Sequence, residues 1–467
     1  MSPFVWFRYL LFMNRRQFLK ATSAAFAFST LPTLSSFSSD FMDVKKRVAL
    51  IGPGWYGKLD LFRMIQVAPV EVVSVCDVDS VMANDAADQI AGRQLSGKRP
   101  RILLDYRKLL KEKDFDIVLI DTPDHWHALP MIEAVQAGAD VWVQKPTGVD
   151  VVEGQAMLAA ARKYKRVVQV GTQRRSTPHL IEARDRVIKE GLLGKISHAD
   201  ICCYFHMRKR LTIEDAPDIP PPDGLNWDMW TGPAPMQPFN KIIHPGGWRA
   251  YMEYGNGIVG DMCVHMLDMV RWMLDLGMPK TVSSTGGVFI DKASRANITD
   301  TQTATFGFPE MNVVWNHRSW GSSSDRDYPW SGIIYGDKGT LKLSVHKYEF
   351  IPHGSKTPTL SGTPLFEFEQ YPIDRVEKRL EKHVASAVRW HMLDFLKNVE
   401  SRGRPVADIE QGVISSNACI LANNSMALGR SLEWDTGAGK IKGDKEANAL
   451  LARPYRRPWV HPHPGKV

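Results

Sequence analysis

Arg47-Val48-Ala49-Leu50-Ile51-Gly52-Pro53-Gly54-Trp55-Tyr56-Gly57 is the stretch that decides the architecture. Its apolar run reads as a buried strand, and Gly52, Gly54 and Gly57 follow it in the G-x-G-x-x-G spacing. A helix is expected from there to about Val67. Gly52 allows a tight turn, Gly54 lets a pyrophosphate approach the backbone, and Gly57 lets the helix pack close to the sheet. Val70 to Cys76 reads as the next strand, and Asp77 ends it, 20 residues beyond Gly57. A carboxylate at that place accepts hydrogen bonds from a ribose diol and repels a 2′-phosphate. Val78 beside it offers no positive charge, so NAD is expected rather than NADP.

Outward from this unit the pattern keeps alternating. Strands are expected at Ile117–Ile120, Asp140–Gln144 and Arg166–Gly171, with helices at Pro130–Ala137 and Val152–Tyr164 between them. Alternation of this kind implies a parallel doubly wound sheet. After about residue 171 the composition changes. A helix, Leu180–Glu190, precedes strand-like runs near 196–205, 281–290, 301–308, 311–319, 331–335 and 340–350. Helices are expected at 384–399 and about 409–429. The fold class is therefore α/β: a Rossmann domain over 44–170 and a second α/β domain over 171–450 with a largely antiparallel open sheet. Residues 451–467, with Arg453-Pro454-Tyr455, read as an extended arm.

Composition bounds the function. At 44% apolar and 24% charged, the chain is too apolar to be disordered. Its net charge of +8 sits at the ends, with +3 in residues 1–40 and +4 in residues 441–467. The body lacks the basic face of a nucleic-acid-binding protein. Five cysteines without finger spacing indicate neither a disulfide framework nor structural zinc.

Asn14-Arg15-Arg16-Gln17-Phe18-Leu19-Lys20, followed by a mild apolar stretch to Leu34, resembles a twin-arginine export signal. The apolar part is too short, and too rich in Ala, Ser and Thr, for a stable span. Residues 1–39 are expected to be the signal and Met13 a possible true start. Twin-arginine substrates travel folded, often with a cofactor inside, so a periplasmic or otherwise exported location and contact with the translocase are expected.

Five blocks together resemble the Gfo/Idh/MocA oxidoreductases. They are the glycine loop, Thr122-Pro123-Asp124-His125-Trp126-His127, Gln144-Lys145-Pro146, Gly171-Thr172-Gln173-Arg174-Arg175, and Gly255-Asn256-Gly257 leading to Asp261 and His265. Trp227-Asp228-Met229-Trp230-Thr231-Gly232-Pro233 and the Arg-Pro-Tyr tail resemble an exported branch of that family. Two departures stand out: Gln144 where the family has Glu, and Asn256 inside an expected Gly-Gly-Gly run. The resemblance implies a catalytic trio of Lys145, Asp261 and His265. It implies a cofactor site of Gly52, Gly54, Trp55, Tyr56, Gly57, Asp77, Thr122, Pro123, His127, Lys145 and Gln173. Arg174, Trp248, Arg249, His317 and Arg318 are candidates for the substrate wall, and a homo-oligomer through the C-terminal sheet is expected.

Removing hydride from a secondary alcohol needs a base at the hydroxyl and a cation for the developing alkoxide. His265 is the candidate base, Lys145 the orienting cation, and Asp261 a partner to substrate or His. Lys145 should sit at the C-terminal edge of its strand, where doubly wound sheets bind ligands. If Gly260 opens a helix, Asp261 and His265 share a face. Taken alone, Lys145-Pro146 could be only a turn with a cis bond, and Asp261/His265 a salt bridge or half a metal site. His125 and His127 also have metal-like spacing, but no metal is expected. The functional expectation is oxidation of a sugar or glycoside hydroxyl with a firmly held NAD restored within each cycle. A net dehydrogenase with an external acceptor, or a non-catalytic sugar-binding protein on the same scaffold, are the alternatives.

Overall fold

The computed structural model describes residues 45–204, 212 and 214–467; the twin-arginine motif lies outside them. Six parallel strands form the first sheet: β1 (Lys46–Ile51), β2 (Val70–Cys76), β3 (Arg101–Leu103), β4 (Ile117–Ile120), β5 (Asp140–Val143) and β6 (Val168–Val170). Their order is β3-β2-β1-β4-β5-β6. The chain reverses direction across the sheet between β1 and β4, and the crevice outside their carboxyl ends is the ligand position of doubly wound sheets. β4 and β5 are buried along their full length, because helices cover both faces. Helices Trp55–Val67, Ser80–Ala91, Tyr106–Glu112, Ala128–Gln136 and Val151–Lys163 supply the cover. Asp79, Asp105 and Asp150 each cap one of them, accepting hydrogen bonds from free N–H groups of the first turn.

Ten strands form the second sheet: β7 (Ile196–Cys203), β8 (Thr281–Gly287), β9 (Thr301–Gly307), β10 (Asn312–Arg318), β11 (Trp330–Gly336), β12 (Gly339–Ser344), β13 (Tyr348–Pro352), β14 (Leu360–Gly362), β15 (Leu432–Asp435) and β16 (Lys440–Ile441). Only β7 and β10 run parallel; every other neighbouring pair is antiparallel. One face packs on helices Val264–Met273 and Ile409–Leu428 through Ala199, Ile201, Val313 and Trp315. The other face of the central strands is polar, carrying His198, Asp200, Thr303 and Asn316.

Three expectations are corrected in detail. The run near 340–350 is two strands, because Ser344 N donates to Lys347 O and closes a turn between them. The expected helix Leu180–Glu190 is α-helical over Pro178–Ala183 and π-helical over Arg184–Ile188. Helix Lys382–Ser401 packs on the first sheet's side: Val384, Val388, Met392, Phe395 and Leu396 share a core with Leu50, Leu61, Phe62 and Trp142. Each such buried side chain contributes roughly 1.5–3 kcal/mol. All five cysteines are free thiols. Among the described residues no helix is long and apolar enough to cross a membrane.

Candidate active site

The glycine loop lies at the carboxyl end of β1, and its three glycines have different physical reasons. Gly52 has φ +84°, and a Cβ there would stand 2.7 Å from the Asp121 carbonyl carbon and Thr122 N. A Cβ on Gly57 would run into the Gly52 carbonyl oxygen. At Gly54 a Cβ would meet only the Met82 methyl, at an ordinary 3.6 Å. Nothing in the protein requires glycine at 54, so the space it leaves suits a group from outside the chain. A phosphate fits there, at the positive end of helix Trp55–Val67.

Asp77 follows β2 directly and faces the same cleft. Its Oδ1 accepts from Asp79 N (2.9 Å), and burial pushes its carboxyl up to about 7. Gly52, Trp55, Tyr56, Asp77, Thr122 and Pro123 line this cleft, which encloses about 970 Å³ including its open mouth. A carboxyl met only by backbone donors, on the wall of this cleft, fits a ribose diol. The opposite wall comes from the second domain. Asn226 N donates to Val78 O (2.9 Å), Ser80 N to Gly224 O (3.0 Å), and His244 Nε2 stands 2.9 Å from Asp79 Oδ2. Trp230, Pro245, Trp248 and Arg249 complete that wall. Sequence reasoning missed this clasp, because the residues it joins are about 150 positions apart.

Lys145 follows β5 at the neighbouring strand end, and its bond to Pro146 is cis. Its Nζ donates to both Asp261 Oδ1 and the Asp261 carbonyl at 2.7 Å. Arg249 Nε stands 3.4 Å from the same Oδ1 and its guanidinium lies 4.1 Å over the Trp248 ring. Asp261 is thus held between two cations. His265 is buried, with no partner at Nδ1 among the described residues. Burial, together with the positive charges of Lys145 and Arg174, drives its pKa well below the usual histidine value. The ring is therefore neutral, as a base must be, and its edge packs on Trp330 (5.6 Å between ring centres).

Gly260 does not open an ordinary α-helix. Asp261 lies in a π-helical turn, Val259–Cys263, and His265 in the α-helix Val264–Met273 that continues it. The turn is fixed from below by Asn256. Its Nδ2 donates to Val149 O (3.2 Å), and its Oδ1 accepts from Arg453 of the C-terminal arm (2.7 Å). Arg453 also donates to Met252 O and Gly255 O. The asparagine that departs from the glycine run is therefore a tie between the arm and the turn carrying Asp261.

Gln144 has an equally local reason. Its Nε2 donates to Asp60 Oδ2 (2.6 Å), which also accepts from Trp142 Nε1 (2.9 Å). Asp60 lies against Asp121; burial raises both carboxyls, Asp60 to about 6. A glutamate at 144 would bring a third buried carboxyl and no donor. Asp60 and Asp121 carry no sequence signal of their own.

His127 holds the Lys145-Pro146 turn: Nδ1 is 2.5 Å from Pro146 O and Nε2 2.9 Å from Thr122 O. His125 bonds to the Trp230 carbonyl (3.1 Å). Gln173 Nε2 donates to Tyr56 Oη (2.9 Å), and Arg174 lies 5.0 Å from the centre of Trp330. His317 Nδ1 bonds to Cys203 O (2.8 Å), and Arg318 lies over Tyr204 (4.3 Å). These last two contacts tie their residues to the end of the second sheet.

Two family models match the chain, together covering more than half of it. Residues 46–172 match the oxidoreductase family's NAD-binding Rossmann fold, and residues 225–342 the GFO/IDH/MocA C-terminal domain. A glycosyl hydrolase family 109 protein of Stenotrophomonas maltophilia is 30% identical over 198 residues, 40% of this chain and 41% of that one. The chain thus spans less than half of that relative. Inositol 2-dehydrogenase of Rhizobium meliloti is 26% identical over 322 residues, 65% of this chain and 82% of that one. Among solved structures, an oxidoreductase from Agrobacterium radiobacter superposes with TM-score 0.63 at 17% identity, covering 84% of this chain and 98% of that chain. The likeness to that structure is one of fold. The chain belongs to the Gfo/Idh/MocA oxidoreductases, with its NAD-binding Rossmann domain at residues 46–172.

Proposed function

We propose that the protein oxidises a ring hydroxyl of a sugar or glycoside and restores the hydride to substrate before product leaves. The observation that carries this reading is the Lys145–Asp261 ion pair, at 2.7 Å and largely shielded from solvent, beside a neutral His265 whose Nδ1 has no partner among the described residues. When bound, NAD accepts a hydride from a carbinol carbon and can give one back. The residues supply the rest. His265 takes the hydroxyl proton as the hydride departs. Lys145 donates to the hydroxyl oxygen, where negative charge grows, and Asp261 holds Lys145 in position. The ring ketone so formed acidifies the neighbouring C–H bond, and a neutral base nearby can then move that second proton.

Three features support the closed cycle over net dehydrogenation. The clasp from residues 224–249 lies over the cleft where the dinucleotide would be held. Arg15-Arg16 with Phe18-Leu19-Lys20 supports export as a folded protein, to a place where free NAD is not replenished. The partial match to a glycosyl hydrolase supports glycoside cleavage as the net outcome. The test is to purify the protein without added nucleotide, denature a sample and identify what is released. A second sample is titrated with glycosides while the absorbance of reduced nicotinamide is followed. Retained NAD that changes redox state with a glycoside is the expected result; sugar binding with no nucleotide would favour a binding protein.

A further inference from the structure

Five arginines are buried among the described residues: Arg63, Arg174, Arg175, Arg271 and Arg389. Four are paired. Arg63 meets Glu377, Arg175 grips Asp268 with two bonds of 2.8 Å, Arg271 donates to the Gly277 carbonyl and Ser415, and Arg389 meets Glu367 and Asp374. Arg174, the immediate neighbour of Arg175, is only 3% exposed, yet among the described residues its guanidinium makes no hydrogen bond and no ion pair. Its Nε is sealed from solvent without an acceptor. A buried charge left without a counter-ion is costly to a fold, so such a group implies an anion that the chain does not contain.

The place of Arg174 says whose anion it is. The guanidinium lies over one side of Trp330, and His265 packs its edge on the same ring. Tyr56 of the cleft and His265 both sense its charge. The other charged groups of the site do not neutralise it. Lys145 and Arg249 both engage the same carboxylate, that of Asp261. Among the described residues Glu381 is the carboxylate that acts on Arg174, and it is exposed. His179 and His383, whose rings also feel Arg174, are held neutral by burial, at about 4. The surroundings of Arg174 are therefore rich in positive charge and donors and short of acceptors.

We propose that the sugar oxidised here bears a carboxylate, and that Arg174 is the residue that binds it. A guanidinium matches a carboxylate with two parallel hydrogen bonds, and one charge meets one charge. Arg174 and His265 contact the same Trp330 ring, so a sugar that presents its hydroxyl to His265 would bring its carboxylate toward Arg174. This inference names the substrate class of the site proposed above and rests on that reading.

The test compares matched pairs: methyl glucuronide with methyl glucoside, and the galacto and manno counterparts, on protein with its retained cofactor. For at least one pair, kcat/KM should favour the acid by about 10²-fold. Arg174→Gln should reduce that preference to under about tenfold, chiefly through KM, and Arg174→Lys should fall between. Calorimetry of the free acids against the neutral sugars gives a readout independent of turnover, and wild-type protein alone suffices for it. If no glycoside is oxidised but an acid binds about tenfold or more tightly than its neutral partner, the oxidoreductase reading falls and the Arg174 assignment stands. Equal binding and equal turnover within every pair overturn it. So does an Arg174→Gln protein that loses its nucleotide while the acid preference stays, since Arg174 would then serve the dinucleotide.

Discussion

The dinucleotide cleft and the reaction cluster lie side by side but are built on opposite plans. The cleft's dinucleotide-facing floor is a local object: Gly52, Gly54, Gly57 and Asp77 fall within 26 residues, at the ends of two adjacent parallel strands. The reaction cluster is assembled from a distance. Lys145 comes from the end of β5, while Asp261 comes from a π turn 116 residues later and His265 from the α-helix that continues it. That turn is itself held by Asn256 and by Arg453, 197 residues beyond Asn256. A site of the first kind tolerates change elsewhere in the chain; a site of the second depends on every tie that fixes its parts.

Replacing cluster residues should have the largest effect. Lys145→Ala and His265→Ala are each expected to lower turnover by roughly 10²–10³, since each removes a group that acts as charge develops. Released nucleotide per protein, measured after denaturation, should stay the same in both. Loss of nucleotide alongside turnover would join the two regions into one site and break the comparison.

Within the cleft, the glycines should separate. Gly52→Ala meets backbone at 2.7 Å with φ +84° and is expected to cost about 2–4 kcal/mol in chemical denaturation. Gly54→Ala should leave the unfolding midpoint unchanged and lower nucleotide retention instead. Equal losses of stability in both variants would show that Gly54 serves packing.

Gln144→Glu tests the seam between the regions. The added carboxyl sits beside Asp60 and Asp121 and should destabilise by about 1–3 kcal/mol at neutral pH. Its folded pKa would be raised, so the folded state would keep a proton that the unfolded state releases. The penalty is therefore absent below the unfolded glutamate value and grows as pH rises above it. A penalty independent of pH would assign the effect to lost hydrogen bonds alone.

How much of this was legible in the sequence follows the same division. The glycine loop, Asp77 and most of the first sheet could be read off, because strand period, turn chemistry and phosphate geometry act over a few residues. Helix Ser80–Ala91 is hard to read from sequence, although Asp79 caps it, because its buried face, Ala83, Ala86, Ala87 and Ile90, holds one large apolar side chain. β3, three residues long and half exposed, has no hydrophobic signature. The π turn at Asp261, the Asp60–Gln144 bond, the Asp79–His244 pair and the Arg453 tie are tertiary. No spacing announces them, and two of them explain the family departures at Gln144 and Asn256.

The smallest expected effect concerns Asp77. Its carboxyl, held up to about 7 in the free cleft, must ionise to accept from a diol. NAD affinity should therefore tighten as pH rises through that value, by about tenfold between pH 6 and 8. Asp77→Asn should flatten the dependence. An affinity that weakens with rising pH would mean that the neutral carboxyl is the binding form.

The closed cycle is tested most directly by counting. Purified protein carrying only its own nucleotide is given a glycoside in large excess, with no NAD and no electron acceptor, and free sugar is measured per active site. The expected result is many product molecules per site, with the nucleotide oxidised again at the end. Product that stops at one per site, and resumes only when NAD or an acceptor is added, would contradict the cycle and leave a net dehydrogenase.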